Sequence, residues 1–338
     1  MRRERLGFVY PFFALAVLSL WCTTYVVHVE AASSLQKPVK LVWHYYKVHN
    51  TCDDAEAYIR HQVELFYKRD KTIAPKLLRL HYSDCFVNGC DASILLDGAD
   101  SEKMAPQNRG LGGFALVDKI KTVLESRCPG VVSCADILSL ATRDAVHLAG
   151  APSYPVFTGR RDGLKSTKAS VDLPSPSISW EASLAYFKSK GLDVLDMTTL
   201  LGAHSMGRAH CSFIVDRLYN FNNTGKQDPS MKASLLAEMR KLCPQRRKGQ
   251  TDPLVFLNQA SAFTNSYYSR VLAGESVLGV DQQLLYGDET KQITEEFADG
   301  LEDFRKSFAL SMSRMGNMNV LTRKEGEIRK NCRSTNKY

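Results

Sequence analysis

The sequence predicts a mainly α-helical protein, and three observations carry that expectation. Beyond the first thirty or so residues, apolar side chains recur at i, i+3 and i+4 in one segment after another. No strand-helix alternation of the βαβ kind, internal repeat or Gly-rich phosphate loop interrupts the pattern. The chain has 338 residues and 44% hydrophobic content, enough to bury a large core with no disordered half.

The order of elements starts with an export signal. Arg2, Arg3 and Arg5 precede an almost uncharged apolar run from Leu6 to Val29, and Ala31-Ala32 follows. This is the three-part layout of a secretory signal peptide over residues 1–32, with a mature chain over 33–338. The run is also long enough for an uncleaved signal anchor, and no other stretch could cross a membrane. Formal charge is +8 for the whole chain and +7 without residues 1–32, which hold three Arg and two Glu. The Lys and Arg are dispersed instead of striped, which argues against nucleic-acid binding and allows adhesion to acidic polysaccharide. The run Arg246-Arg247-Lys248 reads as a solvated loop.

Asp53 is placed to cap a helix carrying Ile59, Val63, Phe66 and Tyr67, and Pro75 separates it from a helix over Leu77 to Ser83. The Gly-, Pro-, Asn- and Asp-rich run 97–113 is a loop. Phe114, Val117, Ile120 and Leu124 then mark a helix that ends at Cys128-Pro129-Gly130. Ser133-x-x-Asp136 resembles a capping box that opens a helix reaching Gly150. Residues 151–179 are a long irregular stretch, a length usually kept for function. Helical patterns return from Trp180 to Gly191, from Asp193 to Gly207 and from Pro229 to Cys243. The last strong one carries Phe297, Leu301, Phe304, Phe308 and Met312 on a single stripe.

The chemistry concentrates in Arg79-Leu80-His81-Tyr82-Ser83-Asp84-Cys85-Phe86-Val87-Asn88-Gly89-Cys90-Asp91-Ala92-Ser93. At about 100° per residue, Arg79, Tyr82 and Ser83 share one helix face and His81 another. The oxygen-rich run that follows suits a hard cation such as Ca²⁺. Cys85-x4-Cys90 is compatible with a staple, a metal pair or two unrelated thiols. Eight cysteines remain after residue 32, an even number in an exported chain. That points to four disulfides, with on the order of a hundred pairings open.

That stretch closely resembles the distal-helix signature of the secreted class III plant haem peroxidases, Arg-Leu-His-Phe-His-Asp-Cys-Phe-Val-x-Gly-Cys-Asp-Ala-Ser, with Ser83 where the pattern has its second histidine. A second segment, Leu200-Leu201-Gly202-Ala203-His204-Ser205-Met206-Gly207-Arg208-Ala209-His210-Cys211, resembles the proximal-helix signature. Further matches are Val132-Ser133-Cys134-Ala135-Asp136, Gly159-Arg160-Arg161-Asp162, Asp216-Arg217-Leu218-Tyr219-Asn220-Phe221 and Ile328-Arg329-Lys330-Asn331-Cys332, so the resemblance spans nearly the whole mature chain.

The resemblance implies two helical lobes with haem b between distal and proximal helices. It makes His204 the axial ligand, backed by Asp281, and Arg79 and Asn108 distal catalytic residues. Pro174 becomes the donor-access proline, and Asp84, Val87, Gly89, Asp91 and Ser93 become ligands of a distal calcium ion. It pairs Cys52 with Cys128, Cys85 with Cys90, Cys134 with Cys332 and Cys211 with Cys243. Ser205 matches one ligand of a second, proximal calcium site. There Phe256-Leu257-Asn258-Gln259-Ala260-Ser261-Ala262-Phe263-Thr264 lacks both of the family's carboxylates, and Asp252 is the nearby candidate.

The expected activity is oxidation of small phenolic donors by hydrogen peroxide, from a secreted monomer that is extracellular or in the cell wall, with cell-wall polysaccharide as a further candidate partner. With Ser83 at the second histidine position, the chain reads as a divergent member lacking the distal histidine. A lost general acid-base group is typically worth about 10² to 10⁴ in rate, so low activity is expected. Water held by Ser83 and Asn108 would be the weak substitute. The rival expectation is a non-catalytic haem- or cell-wall-binding homologue. Asn222-Asn223-Thr224 is a glycosylation sequon.

Overall fold

The computed structural model describes residues 41–245, 251–258 and 262–336. The expected signal segment 1–32, the basic run Arg246-Lys248 and Gln259–Ser261 lie outside the described residues. Mainly helical architecture is what the described chain shows, in two helical lobes.

The first lobe opens with the short helix α1 (Tyr45–Val48) and is built from α2 (Ala55–Arg69), α3 (Ile73–Cys85), α4 (Phe114–Arg127) and α5 (Cys134–Leu148). Both α2 and α3 pack on α5, which is buried along almost its whole length because helices cover it on several sides. The second lobe contains α6 (Trp180–Ser189), α7 (Val194–Leu201), α8 (Val215–Tyr219), α9 (Ala233–Leu242), α10 (Ser266–Leu272), α11 (Gly279–Gln282), α12 (Asp288–Asp299) and α13 (Leu301–Met315). There α7 packs on α6, α12 and α13, and α10 packs on α12. Two small antiparallel pairings accompany the helices: Val42–Trp43 with Phe157–Thr158, and Arg208–His210 with Leu254–Phe256.

Several boundaries differ from the sequence expectation for local reasons. Helix α3 starts two residues before Pro75, because a proline in the first turn gives up only an N–H that has no intrahelical acceptor. Asp54, not Asp53, precedes α2, and it makes no side-chain cap. Ser133 Oγ accepts from Asp136 N at 3.1 Å, which is half of a capping box. Asp136 does not reciprocate because its carboxylate is taken by Tyr46 OH (2.6 Å), Gly159 N (2.7 Å) and Arg160 Nη1 (2.9 Å). The stripe from Phe297 to Met312 belongs to two helices broken at Gly300. The helix that opens at Asp193 ends at Leu201 and tightens into a 3-10 turn over Gly202–Ser205.

Buried polar joints tie the matched motifs together. Arg160 bonds Asp136 and the Gly316 carbonyl, and Asp162 accepts from Ala135 N (2.9 Å) and Arg329 N (2.8 Å). Residues far apart in sequence thus satisfy one another's buried charges, as burial requires. The four disulfides are Cys52–Cys128, Cys85–Cys90, Cys134–Cys332 and Cys211–Cys243, the pairing the resemblance implied. The sequon residue Asn222 is exposed on a turn.

Candidate active site

On the proximal side, α7 begins with a reciprocal cap between Asp193 and Asp196 and delivers the 3-10 turn that carries His204. Gly202 in that turn lies directly against Tyr268 and Phe304, where any Cβ would collide, so the chain can turn there against the core. His204 Nδ1 lies 2.8 Å from Asp281 Oδ1, and Tyr267 OH donates to the same oxygen at 2.9 Å. Burial, followed by the charge of Asp281, raises the Tyr267 pKa well above its usual value, so the phenol remains a donor. A carboxylate accepts only, so His204 donates from Nδ1, and Nε2 is the ring nitrogen left for another partner. The His204 side chain is 30% exposed while that of Asp281 is 3% exposed, so one ring edge is anchored and the ring remains open to solvent. An imidazole held by a buried carboxylate in this way could hold a metal centre. Sequence reasoning missed Tyr267; its only signal is its place in an aromatic-rich segment.

On the distal side, Arg79 Nη2 donates to Gln107 O at 2.7 Å, which joins α3 to the loop containing Asn108. Arg79 is exposed, and its guanidinium stays cationic at any working pH. Ser83 is fully buried, and its Oγ has no hydrogen-bond partner. Asn108 Nδ2 donates to Glu102 O at 2.8 Å, while Asn108 Oδ1 is buried without a partner. Both are buried polar atoms without a hydrogen-bond partner inside the protein. Pro174 is half-buried next to buried Leu173, in the irregular segment ahead of α6.

His81 lies deeper in α3. It is 2% exposed, its Nδ1 is 3.5 Å from Cys85 Sγ, and it forms a tight cluster with Cys85 and Cys90. Its ring also lines a cavity of about 10 Å³ with Ser139, Tyr154 and Arg160. Burial and then the charge of Arg160 push its pKa down to about 3, so the imidazole is neutral.

The carboxylates expected to hold calcium do converge. Asp84 accepts from Ala92 N (2.9 Å), and Asp91 Oδ1 accepts from Ser93 N (2.9 Å). Burial raises both carboxyl pKa values, and their mutual repulsion raises Asp84 further. Glu102, which sequence reasoning left as an ordinary loop residue, joins them, and burial pushes its pKa up to about 7. Ser93 Oγ sits near the Asp91 and Glu102 carboxyls without a well-formed hydrogen bond to either. Among the described residues no Lys or Arg forms an ion pair with these three buried carboxyls, although Arg329 is near enough to favour the charged forms of Asp91 and Glu102, and such a cluster suits a hard cation. The backbone of the Val87–Gly89 turn is shaped for the same loop: Gly89 has φ +112° and packs against Asn319, where only glycine fits. At the expected proximal site, Ser205 is fully buried with an unpartnered Oγ. The described part of that segment turns elsewhere: Asn258 bonds Ser266 (3.0 Å), and Asp252 accepts from Ser212 N (3.1 Å) and faces Arg109.

Known proteins agree with the geometry. A family model described as "Peroxidase" matches residues 59–300. The chain is 73% identical over 302 residues to "Probable peroxidase 26" of Arabidopsis thaliana, covering 88% of this chain and 90% of that protein. It is 70% identical over 332 residues to "Probable peroxidase 61" of the same plant, covering 97% of each, and 41% identical over 292 residues to "Peroxidase N" of Armoracia rusticana, covering 85% and 89%.

These findings correct the expectation of a divergent, impaired chain lacking its distal-side histidine. Position 83 is serine, but α3 retains a histidine, His81, enclosed in a buried cluster with Cys85 and Cys90. That expectation sets His81 aside because it faces another side of the helix than Arg79. The low-activity expectation is therefore withdrawn.

Proposed function

We propose that this chain, which belongs to the class III plant secretory peroxidase family, reduces hydrogen peroxide with haem b and oxidises phenolic donors in an oxidising extracellular compartment. The observation that carries the reading is the His204–Asp281–Tyr267 array, an imidazole anchored through Nδ1 and open at its other edge. Bound haem would supply the redox centre that passes two electrons to peroxide and recovers them singly from two phenols. His204 Nε2 would hold the iron. Asp281 keeps the proton on Nδ1 and raises the basicity of the ring, a donor effect that favours oxidised iron. Arg79 offers a fixed positive charge to developing negative charge on a peroxide oxygen. Ser83 Oγ and Asn108 Oδ1 are buried hydrogen-bonding atoms for the oxidant or its water. Pro174 flanks the donor's approach.

Asp84, Asp91, Ser93 and Glu102, with carbonyls from Val87 and Gly89, would bind one calcium ion that stiffens the loop after α3. Four disulfides and the signal-like segment 1–32 support export, since such bridges persist in oxidising compartments.

The test is reconstitution with haem, followed by a Soret spectrum and guaiacol turnover with peroxide. Wild type should show both, and His204→Ala should lose the axial-ligand spectrum. Guaiacol turnover by His204→Ala equal to that of wild type would refute the assignment.

A further inference from the structure

Where the family signature has phenylalanine, this chain has Tyr82, half-buried on α3 one turn from Arg79. Its ring centroid is 4.6 Å from that of Phe86, and the Phe86 ring stacks on Tyr186 of α6 at 5.9 Å with 20° between planes. Phe86 is fully buried, while Tyr186 is part-exposed. Tyr186 OH lies 3.3 Å from both the Phe86 carbonyl oxygen and Asp172 Oδ1, the latter an exposed carboxylate that pairs with Lys190 Nζ at 3.0 Å. A continuous row of rings therefore runs from beside Arg79 to a surface phenol with a carboxylate at its hydroxyl.

We propose that Tyr186 is a second oxidation site, for phenolic donors too large to enter the haem cleft. This rests on the haem-peroxidase reading, which supplies the oxidant. In the proposed step Tyr186 gives up one electron, by way of Tyr82, to the oxidant that bound haem would supply with peroxide, and the phenolic proton passes to the Asp172 carboxylate. Phe86 is not itself oxidised; its packed ring shortens the gap between the two phenols. The bulky phenol then gives one electron to the Tyr186 radical and releases its own proton to water, while Asp172 returns the tyrosine's proton. Two such events consume one peroxide and yield two waters and two phenoxyl radicals. A phenol loses an electron readily only when its proton leaves with it, which is why the pairing with Asp172 matters. Burial, the nearby Tyr82 phenol and Asp172 all raise the Tyr186 pKa, so the residue waits in its protonated form.

Haem-loaded protein is assayed with peroxide and either guaiacol or a phenol coupled to dextran. Tyr186→Phe keeps the ring stack and removes the ionisable hydroxyl. It should leave guaiacol turnover within about twofold and cut dextran-phenol kcat/KM at least about tenfold. Asp172→Asn should lower the dextran-phenol rate, with guaiacol unaffected. With peroxide and a nitroso spin trap but no donor, peptide mapping should find the adduct on Tyr186, in smaller yield in Tyr82→Phe. Equal dextran-phenol rates in wild type and Tyr186→Phe, or no adduct on Tyr186, would overturn the proposal while guaiacol turnover leaves the haem reading standing. Loss of the Soret band and of both activities in wild type would take down the two together.

Discussion

Asp281→Asn probes the proximal array most directly. The carboxylate accepts from His204 Nδ1 at 2.8 Å and from Tyr267 OH at 2.9 Å, both on Oδ1, and is almost fully buried. An asparagine oxygen can accept the same two protons, so the geometry survives and only the charge is lost. Hydrogen bonds to a charged group contribute about 1.5–3 kcal/mol and neutral ones about 0.5–1.5, so two bonds together lose roughly 2–3 kcal/mol. Relief from burying a charge offsets much of that in folding stability, and the melting temperature should move little. The cost should appear at His204, whose imidazole loses its anionic partner. Changes of this kind typically lower metal affinity or activity about 10- to 100-fold. Haem titration by Soret absorbance and single-turnover reaction with peroxide read the two quantities separately. A variant that binds haem and reacts with peroxide as wild type does would refute the role assigned to Asp281.

Other expectations concern the cation loop and the staples. In chelator, the folded protein holds a proton on Glu102, with pKa about 7 against 4.5 for the free group, that the unfolded chain releases earlier. Its stability should therefore fall as pH rises from about 4.5 to 7, by about 3 kcal/mol. Added calcium should remove that slope in urea titrations and Glu102→Gln should reduce it, with the remainder coming from Asp84 and Asp91, whose carboxyls burial also raises; a flat chelated profile would contradict the site. Gly163→Ala should weaken calcium binding, measured by calorimetry, because the new methyl would collide with the Asp91 carboxylate. Replacing Cys134 and Cys332 by serine opens a loop of 198 residues, an entropy change of about 5 kcal/mol in the unfolded chain, and should markedly lower the denaturation midpoint.

The sequence by itself determined the helical class, the export-type cysteine count and the two signature segments, because helical periodicity and short motifs are local properties. His204 and Asp281 could be named from their motifs, and Arg79 and Ser83 could be set on one helix face by counting residues. What lay beyond reach was contact between distant segments. The roles of Tyr267 and Glu102 depend on what folds against them, and composition marks neither. The same is true of His81: its numbering says which way it points, but only packing shows it enclosed with Cys85, Cys90 and Arg160 and neutral in consequence. The stack from Tyr82 through Phe86 to Tyr186 joins α3 to α6 across 100 residues of chain, from Phe86 to Tyr186. Pattern specifies which face a side chain occupies. The low dielectric, unpaired charges and ring contacts that turn faces into chemistry exist only once tertiary burial has removed water.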